Sequence, residues 1–239
     1  MDIVNGFAYL GKGASLLMRK ELRIFVLLPL LVNVLLFGFG IGLIFSYAGG
    51  WVDAAVAGLP EWLAWSAWLL WLILTLLVGL GVFWGFSLIA NLIAAPFNGI
   101  LAEKAQMLLT GTPVDGGGLD DFIRLIPSAL GRELSKWMYY LPRVLVLFVL
   151  GFIPGMQLVV PWLWLLFGAW MMAVQYVDYP MDNNRISFKE MKQRLGQRKL
   201  LHLSFGGGVS LLLLVPFVNF FVMPVAVVAA TALYVEEHQ

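Results

Sequence analysis

The chain contains no cysteine among its 239 residues. This absence excludes disulfides, thiol catalysis, iron–sulfur clusters and cysteine-based zinc sites together. The only histidines, His202 and His238, lie too far apart in the sequence to form a metal-ligand motif. The sequence also has no nucleophile elbow, HExxH motif, Walker loop or GxGxxG motif. We therefore expect no enzymatic activity, no bound metal and no cofactor.

Charged residues are scarce, and apolar residues take their place. Charged residues make up 12% of the chain and hydrophobic residues 61%, whereas soluble domains are about 25% charged. The net charge of +1 provides no field that would attract nucleic acid. This composition predicts an integral membrane protein in a lipid bilayer. The first residues lack the positive n-region of a cleaved signal peptide, so we expect a retained N-terminal anchor.

Four stretches are free of charged residues, at 24–52, 62–102, 144–177 and 203–235. Because lipid satisfies no backbone hydrogen bond, each stretch is predicted to be helical. Lysine and arginine occur in the N-terminal segment and after the second and third stretches, but not in the loop 53–61. The positive-inside tendency therefore predicts that the loop faces outward and the basic segments lie in the cytoplasm.

The first two stretches predict two full crossings, at 24–48 and 62–90. The second stretch is longer than a single span requires. Pro96 removes a backbone donor and Asn98-Gly99 favours a turn. We therefore expect the helix to break there and a new helix to occupy 100–110.

The last two stretches, 144–177 and 203–235, predict half-spanning re-entrant hairpins. Glycine and proline interrupt them near 151–161 and 216–224. Each half of the third stretch would have about 15 residues, or about 23 Å, which is less than the ~30 Å hydrocarbon core. Strongly tilted or kinked single spans are the alternative. Hairpin tips at membrane depth must be buried or wetted, which implies a homo-oligomer, a water-filled path or both.

Two further segments, 119–142 and 187–201, are predicted to form amphipathic helices on the cytoplasmic side. Ser187 and Glu190 match the S-x-x-E capping box that opens a helix. The bases of both helices suit either of two roles. One role is contact with anionic headgroups, and the other is to line a vestibule that concentrates anions.

The segment MRKELRIF places Arg19, Lys20 and Arg23 at the entry to the first crossing. If a helix begins near Glu21, its free N–H groups and the Arg23 guanidinium form a dry anion site. An oxyanion with several acceptor oxygens suits such donors. Positive-inside topology alone is the alternative explanation of these bases.

The segment QYVDYPMDNNR contains the only polar cluster next to a hairpin base. Its acids are Asp178 and Asp182. Asp182, with Asn183, Asn184 and Arg185, either lines a site or forms a hydrogen-bonded turn.

Six blocks together resemble the bacterial CysZ family of sulfate permeases. They follow in order over nearly the whole chain: LRIFVLLPLLVN at 22–33, IANLIAAPFNGILAEK at 89–104, YYLPR at 139–143, QYVDYPMDNN at 175–184, FKEM at 188–191 and VMPVAVVAATALYVE at 222–236. The resemblance implies an inner-membrane, multi-pass sulfate transporter that supplies cysteine biosynthesis. It implies an all-α fold with two long crossings and two half-spanning hairpins, one transporter domain over 1–239, and an oligomer. Sulfite and related oxyanions are alternative cargoes.

The family's sulfate-binding motif lies just before the first crossing, as Gly-Leu/Ile-Arg often followed by a second arginine. The resemblance assigns it to Glu21-Leu22-Arg23-Ile24. Arg23 carries over, whereas Glu21 replaces the glycine and Ile24 the second arginine. Glu21 would repel a dianion unless it turns away or pairs with Lys20. A weaker site is one expectation, and a site shifted toward the preceding bases is the other.

Six polar residues are candidates for lining a translocation path: Asn91, Asn98, Glu103, Arg132, Asp178 and Asp182. Coupling of transport to protons would require a buried acid that titrates, and Glu103 and Asp178 are the first candidates. The alternative function is a non-transporting assembly or scaffold protein whose hairpins serve packing.

Overall fold

The computed structural model describes residues 2–58, 60–112 and 122–238, and these ranges contain helices and no strand. The α-helices are α1 (Asp2–Leu17), α2 (Lys20–Ala57), α3 (Ala67–Thr110), α4 (Phe122–Leu150), α5 (Val160–Asn183), α6 (Phe188–Gln197), α7 (Lys199–Leu213) and α8 (Asn219–Glu237). Short 3-10 helices occupy Glu61–Ser66 and Met156–Leu158. The all-α prediction is confirmed. Residues 119–121 of the first predicted amphipathic helix lie outside the described residues.

The chain divides into two compact units, and the larger one comprises residues 1–27 and 95–239. In this unit α1 and α5 both pack against α7 and α8, and α4 and α6 pack against α5. Its core contains fully buried apolar side chains, among them Leu101, Val174, Leu201, Phe205 and Leu233. The contact between α5 and α7 depends on a missing side chain. A Cβ on Gly206 would lie 1.8 Å from the carbonyl oxygen of Ala169.

The smaller unit, residues 28–94, contains most of α2 and the first part of α3. Large apolar side chains are exposed along both helices: Leu31, Leu35, Phe39, Trp68, Leu77 and Trp84. An apolar surface of this extent is typical of a protein that contacts lipid or a partner.

Helix α3 continues without interruption from Ala67 to Thr110. The predicted break at Pro96 and Asn98-Gly99, with a separate helix at 100–110, is therefore wrong. A proline removes one backbone hydrogen bond, and the other bonds of a long apolar helix can hold the helix together across it.

The predicted interruption of the third charge-free stretch is confirmed. Helix α4 ends at Leu150 and α5 begins at Val160, and Gly155 between them has a φ of 87°. The predicted arm length of about 15 residues is wrong, because the two helices extend beyond the charge-free stretch to 29 and 24 residues. At 1.5 Å per residue α5 is about 36 Å long. In the searched part of the chain, α5 is the helix whose length and apolar composition suit a crossing.

The fourth stretch is also interrupted, at 214–218, next to Pro216. Pro224 was expected to belong to this interruption, but it lies inside α8. Because proline has no backbone N–H, Pro224 removes one hydrogen bond of α8, and the helix continues past it. Helices α7 and α8 have 15 and 19 residues.

Helix α6 starts as the capping motif predicts. The Ser187 side chain accepts a hydrogen bond from the backbone N–H of Glu190 at 3.2 Å. The predicted extension of this helix to Leu201 is wrong. It ends at Gln197, because Arg198 leaves the helical conformation (φ −126°, ψ 58°) before α7 begins.

Candidate functional site

The predicted anion site lies at the turn between α1 and α2. Helix α2 begins at Lys20, one residue before the expected start. The amides of Leu22 and Arg23 both donate to the carbonyl oxygen of Arg19, at 3.1 and 3.3 Å. The amides of Lys20 and Glu21 donate to no backbone acceptor in the described part of the chain. Two N–H groups at this helix start thus remain for another acceptor.

The side chains of the turn separate into one buried anchor and several exposed charges. Leu22 is fully buried, which fixes the turn against the core of the larger unit. The Arg23 Nε donates to the carbonyl oxygen of Met18 at 2.7 Å. This bond folds the guanidinium back over the turn and leaves its two Nη groups for other acceptors. Arg19, Lys20, Glu21 and Ile24 are exposed.

The bases of the turn have no acid partner among the described residues. In particular, Glu21 forms no ion pair with Lys20 there, so the carboxylate is not neutralised in that way. The positive end of helix α2 and the Arg23 guanidinium would attract an oxyanion at this turn. The Glu21 carboxylate would repel it. These groups suit a partly exposed anion site of moderate affinity.

A second group of charges lies between α4 and α5, around a buried centre. The Arg132 Nε donates to Asp178 Oδ1 at 2.8 Å, and the Lys136 Nζ lies 3.1 Å from Asp178 Oδ2. Lys136 also donates to Glu133 at 2.7 Å, and Arg132 lies 3.6 Å from Asp182. We call Arg132, Glu133, Lys136, Asp178 and Asp182 the buried ion cluster. Asp178 is its centre, with a side chain only 2% exposed.

Neighbouring polar side chains extend the cluster toward α3. The Lys136 ammonium lies 5.0 Å from the centre of the Tyr179 ring. The Tyr179 hydroxyl accepts from Asn98 and from Gln175, both at 3.3 Å. Four of the six predicted path residues, Asn98, Arg132, Asp178 and Asp182, therefore belong to one connected polar group.

The net charge of the buried ion cluster argues against a dianion at its centre. Three carboxylates and two bases leave −1 when all are ionised. Lys136 contacts Asp178 and Glu133, and Arg132 contacts Asp178 and Asp182. Both bases are thus largely compensated. The Arg132 Nη2 is buried and donates to no acceptor in the described part of the chain, so one donor is left over.

The other two predicted path residues are not part of the cluster. Glu103 is half-buried on α3 and forms no ion pair among the described residues. The side chain of Asn91 lies outside the described part of the structure.

The asparagines that follow Asp182 form a structural turn, one of the two interpretations that the sequence leaves open. The Asn183 Nδ2 donates to the carbonyl oxygen of Gly99 at 2.7 Å. Asn184 and Gln106 exchange amide hydrogen bonds at 2.8 and 3.2 Å. These contacts attach the end of α5 to α3.

Sequence reasoning did not identify Glu133, Lys136 and Tyr179 as parts of one polar group. A usable signal is present in the spacing. Arg132 and Lys136 are four residues apart on α4, and Asp178 and Asp182 are four apart on α5. Each pair therefore lies on one helix face, with charges that complement the other pair.

Comparisons with known proteins identify the family. A family model described as Sulfate transporter CysZ/Etoposide-induced protein 2.4 matches residues 9–224. The chain belongs to this family. A Pseudomonas paraeruginosa protein named Sulfate transporter CysZ is 44% identical over 99% of the chain and 97% of its own length. Similar proteins of the same name come from Pseudomonas aeruginosa, at 43% identity over 99% of the chain and 97% of that protein, and Pseudomonas fluorescens, at 46% over 98% and 94%.

Membership of the CysZ family confirms the resemblance drawn from the six sequence blocks. It also agrees with the expectation that the chain is not an enzyme, because its relatives are named as transporters. The matched region includes both the α1–α2 turn and the buried ion cluster.

Proposed function

We propose that this protein transports sulfate across a bacterial inner membrane, where it feeds cysteine biosynthesis. The observation that carries the proposal is the identity of 43–46% over nearly the full length to proteins named as sulfate transporters. The near-complete coverage of both chains argues for one shared transporter domain over 1–239. Sulfite and related oxyanions offer the same acceptor geometry and are the natural competitors.

The α1–α2 turn is the sulfate-binding site in this proposal. Its unpaired bases, its two free amides and the oriented Arg23 guanidinium support that role. The buried ion cluster is the less suitable place for a dianion, because its acids outnumber its bases. Its role would be to hold α4 against α5 and to line a polar route beside Asn98. Glu103 is the half-buried acid without an ion-pair partner in the described ranges, which makes it the first candidate for proton coupling.

The membrane arrangement proposed is multi-pass, with α2 and α3 crossing the bilayer. They have 38 and 44 residues, or about 57 and 66 Å, which is more than one crossing needs. The paired helices α4–α5 and α7–α8 form the two membrane-embedded hairpins. The length of α5 suits a deeper hairpin than the sequence alone suggests. Exposed apolar side chains on these helices, with polar groups turned inward, favour contacts with lipid and with further copies of the chain.

Radiolabelled sulfate uptake into proteoliposomes tests the function. Protein-containing vesicles are expected to accumulate sulfate faster than protein-free vesicles, and excess sulfite should slow the uptake. Uptake equal to that of protein-free vesicles would contradict transport and would favour a scaffold protein whose hairpins serve packing. A rate that depends on the pH difference across the vesicle membrane, at a fixed external pH, would support proton coupling.

Single cysteines test the hairpins, because the natural chain has no cysteine to obscure the labelling. Leu158 is 81% exposed at the α4–α5 connection, and Asn219 is exposed at the start of α8. Cysteines at these two positions should react poorly with a membrane-impermeant reagent from either side if both lie within the bilayer. Rapid labelling from outside would mean that these connections reach the outer surface.

A further inference from the structure

Two bases lie against two aromatic rings where α4 meets α6, and a third base is their neighbour on α6. The Arg143 guanidinium stacks 3.6 Å from the centre of the Tyr139 ring. The Lys192 ammonium lies 4.7 Å from the same ring and 4.8 Å from the ring of Phe188. Lys189 follows Phe188 on the exposed side of α6. We call Tyr139, Arg143, Phe188, Lys189 and Lys192 the basic–aromatic cluster.

The aromatic part of this cluster is fixed in place. The Tyr139 and Phe188 rings meet edge to face, with centres 6.0 Å apart. The Tyr139 hydroxyl accepts a hydrogen bond from Trp170 on α5 at 3.1 Å. The Arg143 Nη1 donates to the carbonyl oxygen of Tyr139 at 2.7 Å. Arg143 and Lys192 are therefore held by the rings and the backbone rather than by opposite charges.

No carboxylate in the described residues neutralises these three bases. The acids closest to them in the sequence have other partners: Glu133 pairs with Lys136, and Glu190 pairs with Arg194. Burial and the positive charges of Arg143 and Lys189 lower the pKa of Lys192, which shows that the bases influence one another. Bases crowded together without acids favour a bound anion.

The cluster lies directly beside an exposed apolar surface. Immediately after Arg143, helix α4 carries four exposed apolar side chains, Leu145, Val146, Phe148 and Val149. A soluble sulfate or phosphate ion would gain nothing from this surface, whereas acyl chains would bury it. Positive charge at the polar end of an apolar helix face is the arrangement that suits an anionic phospholipid.

We propose that the basic–aromatic cluster binds the phosphate of an anionic phospholipid whose acyl chains lie along the exposed apolar face of α4. The proposal rests on the membrane placement given above, and it does not depend on which anion the protein transports. It assigns a ligand-binding role to the YYLPR and FKEM segments, which the sulfate site at the α1–α2 turn does not use.

Native mass spectrometry of the full-length protein in detergent tests this site, with phosphatidylglycerol and phosphatidylcholine as probes. The wild-type protein should prefer phosphatidylglycerol. The variant Lys189→Gln/Lys192→Gln should bind it about fivefold more weakly for each base removed, or about 25-fold in all. The control Lys104→Gln/Lys199→Gln removes the same charge from two other exposed bases and should keep the preference. Circular dichroism confirms that each variant is folded.

Three outcomes would overturn the proposal. The first is an unchanged preference in Lys189→Gln/Lys192→Gln, and the second is an equal loss in the control, which would mean a general charge effect. The third is displacement of the lipid by millimolar inorganic phosphate or sulfate, which would make the cluster a soluble-oxyanion site. Arg23→Ala should retain the lipid preference. Failure of the lipid proposal therefore leaves the sulfate proposal intact, and the converse also holds.

Discussion

The bases between α4 and α5 differ from the bases of the α1–α2 turn in one decisive respect. Arg132 and Lys136 lie next to carboxylates that cancel their charge. Arg19, Lys20 and Arg23 have no such partners in the described ranges. A count of lysine and arginine along the chain treats the two groups alike. The comparison teaches that a site for an anion is best sought among bases whose charge no carboxylate compensates.

The orientation of α4 supports the same distinction. Its polar residues Arg132 and Lys136 face inward, whereas its apolar residues Leu134 and Trp137 are exposed. The inward bases therefore cannot contact headgroups, one of the two roles that the sequence left open for this helix. Arg143, farther along α4, is exposed and therefore accessible to headgroups.

Removing the acid at the centre of the buried ion cluster should have the largest effect on stability. Asp178→Asn leaves Arg132 and Lys136 without their shared partner, and breaking a buried ion pair costs about 3–5 kcal/mol. Unfolding in detergent measures the change. Asp182→Asn is the matched control, because its side chain is 43% exposed and lies 3.6 Å from Arg132. It should cost less than about 1 kcal/mol. Equal losses would mean that Asp178 is not the centre of the cluster.

A smaller effect is expected at the start of α6, the helix that carries two of the uncompensated bases. Ser187→Ala removes the cap on the Glu190 amide, at a cost of about 1 kcal/mol. Hydrogen exchange should rise in the first turn of α6. Ser135→Ala, which removes a mid-helix hydroxyl bonded to Gly131, should leave exchange in α6 unchanged. An equal rise in both variants would contradict the capping role.

The last effect concerns two histidines, His202 and His238, which lie beside a partly exposed group of ion pairs. Arg198 pairs with Asp2 at 2.7 Å and also with Glu237, close to a contact between His202 and His238. Burial, the neighbouring His202 and the charges of Arg194 and Arg198 lower the pKa of His238 to about 4. A lowered histidine pKa stabilises the folded state above the unfolded value, and this contribution is lost as the pH falls.

The melting temperature should therefore decline modestly as the pH falls from about 6.5 to about 4. His238→Gln should reduce that decline. A pH dependence identical to that of the wild type would exclude His238 as its source.

Local signals in the sequence predicted several features correctly. Ser187 as a cap, the helix start near Glu21 and the interruption between Leu150 and Val160 all depend on residues close together in the chain. The break at Pro96 was wrong because one missing hydrogen bond does not outweigh the remaining bonds of α3.

Features that depend on tertiary contact could not be predicted in this way. The histidines that are 36 residues apart meet with their Nε2 atoms 3.2 Å apart, because α7 and α8 pack together. The buried ion cluster likewise joins residues 46 positions apart. In the searched part of the chain, no three or more His, Asp or Glu side chains are placed to hold a metal ion, so the histidine contact does not by itself indicate a metal site.

Sulfate binding to purified protein, measured by equilibrium dialysis with radiolabelled sulfate, tests the central claim most directly. Arg23→Ala should weaken binding more than tenfold, because a charge-assisted hydrogen bond contributes about 1.5–3 kcal/mol. Lys104→Ala removes an exposed base on α3 and should leave the affinity unchanged. An unaltered affinity in Arg23→Ala, or an equal loss in Lys104→Ala, would contradict the assignment of the sulfate site to the α1–α2 turn.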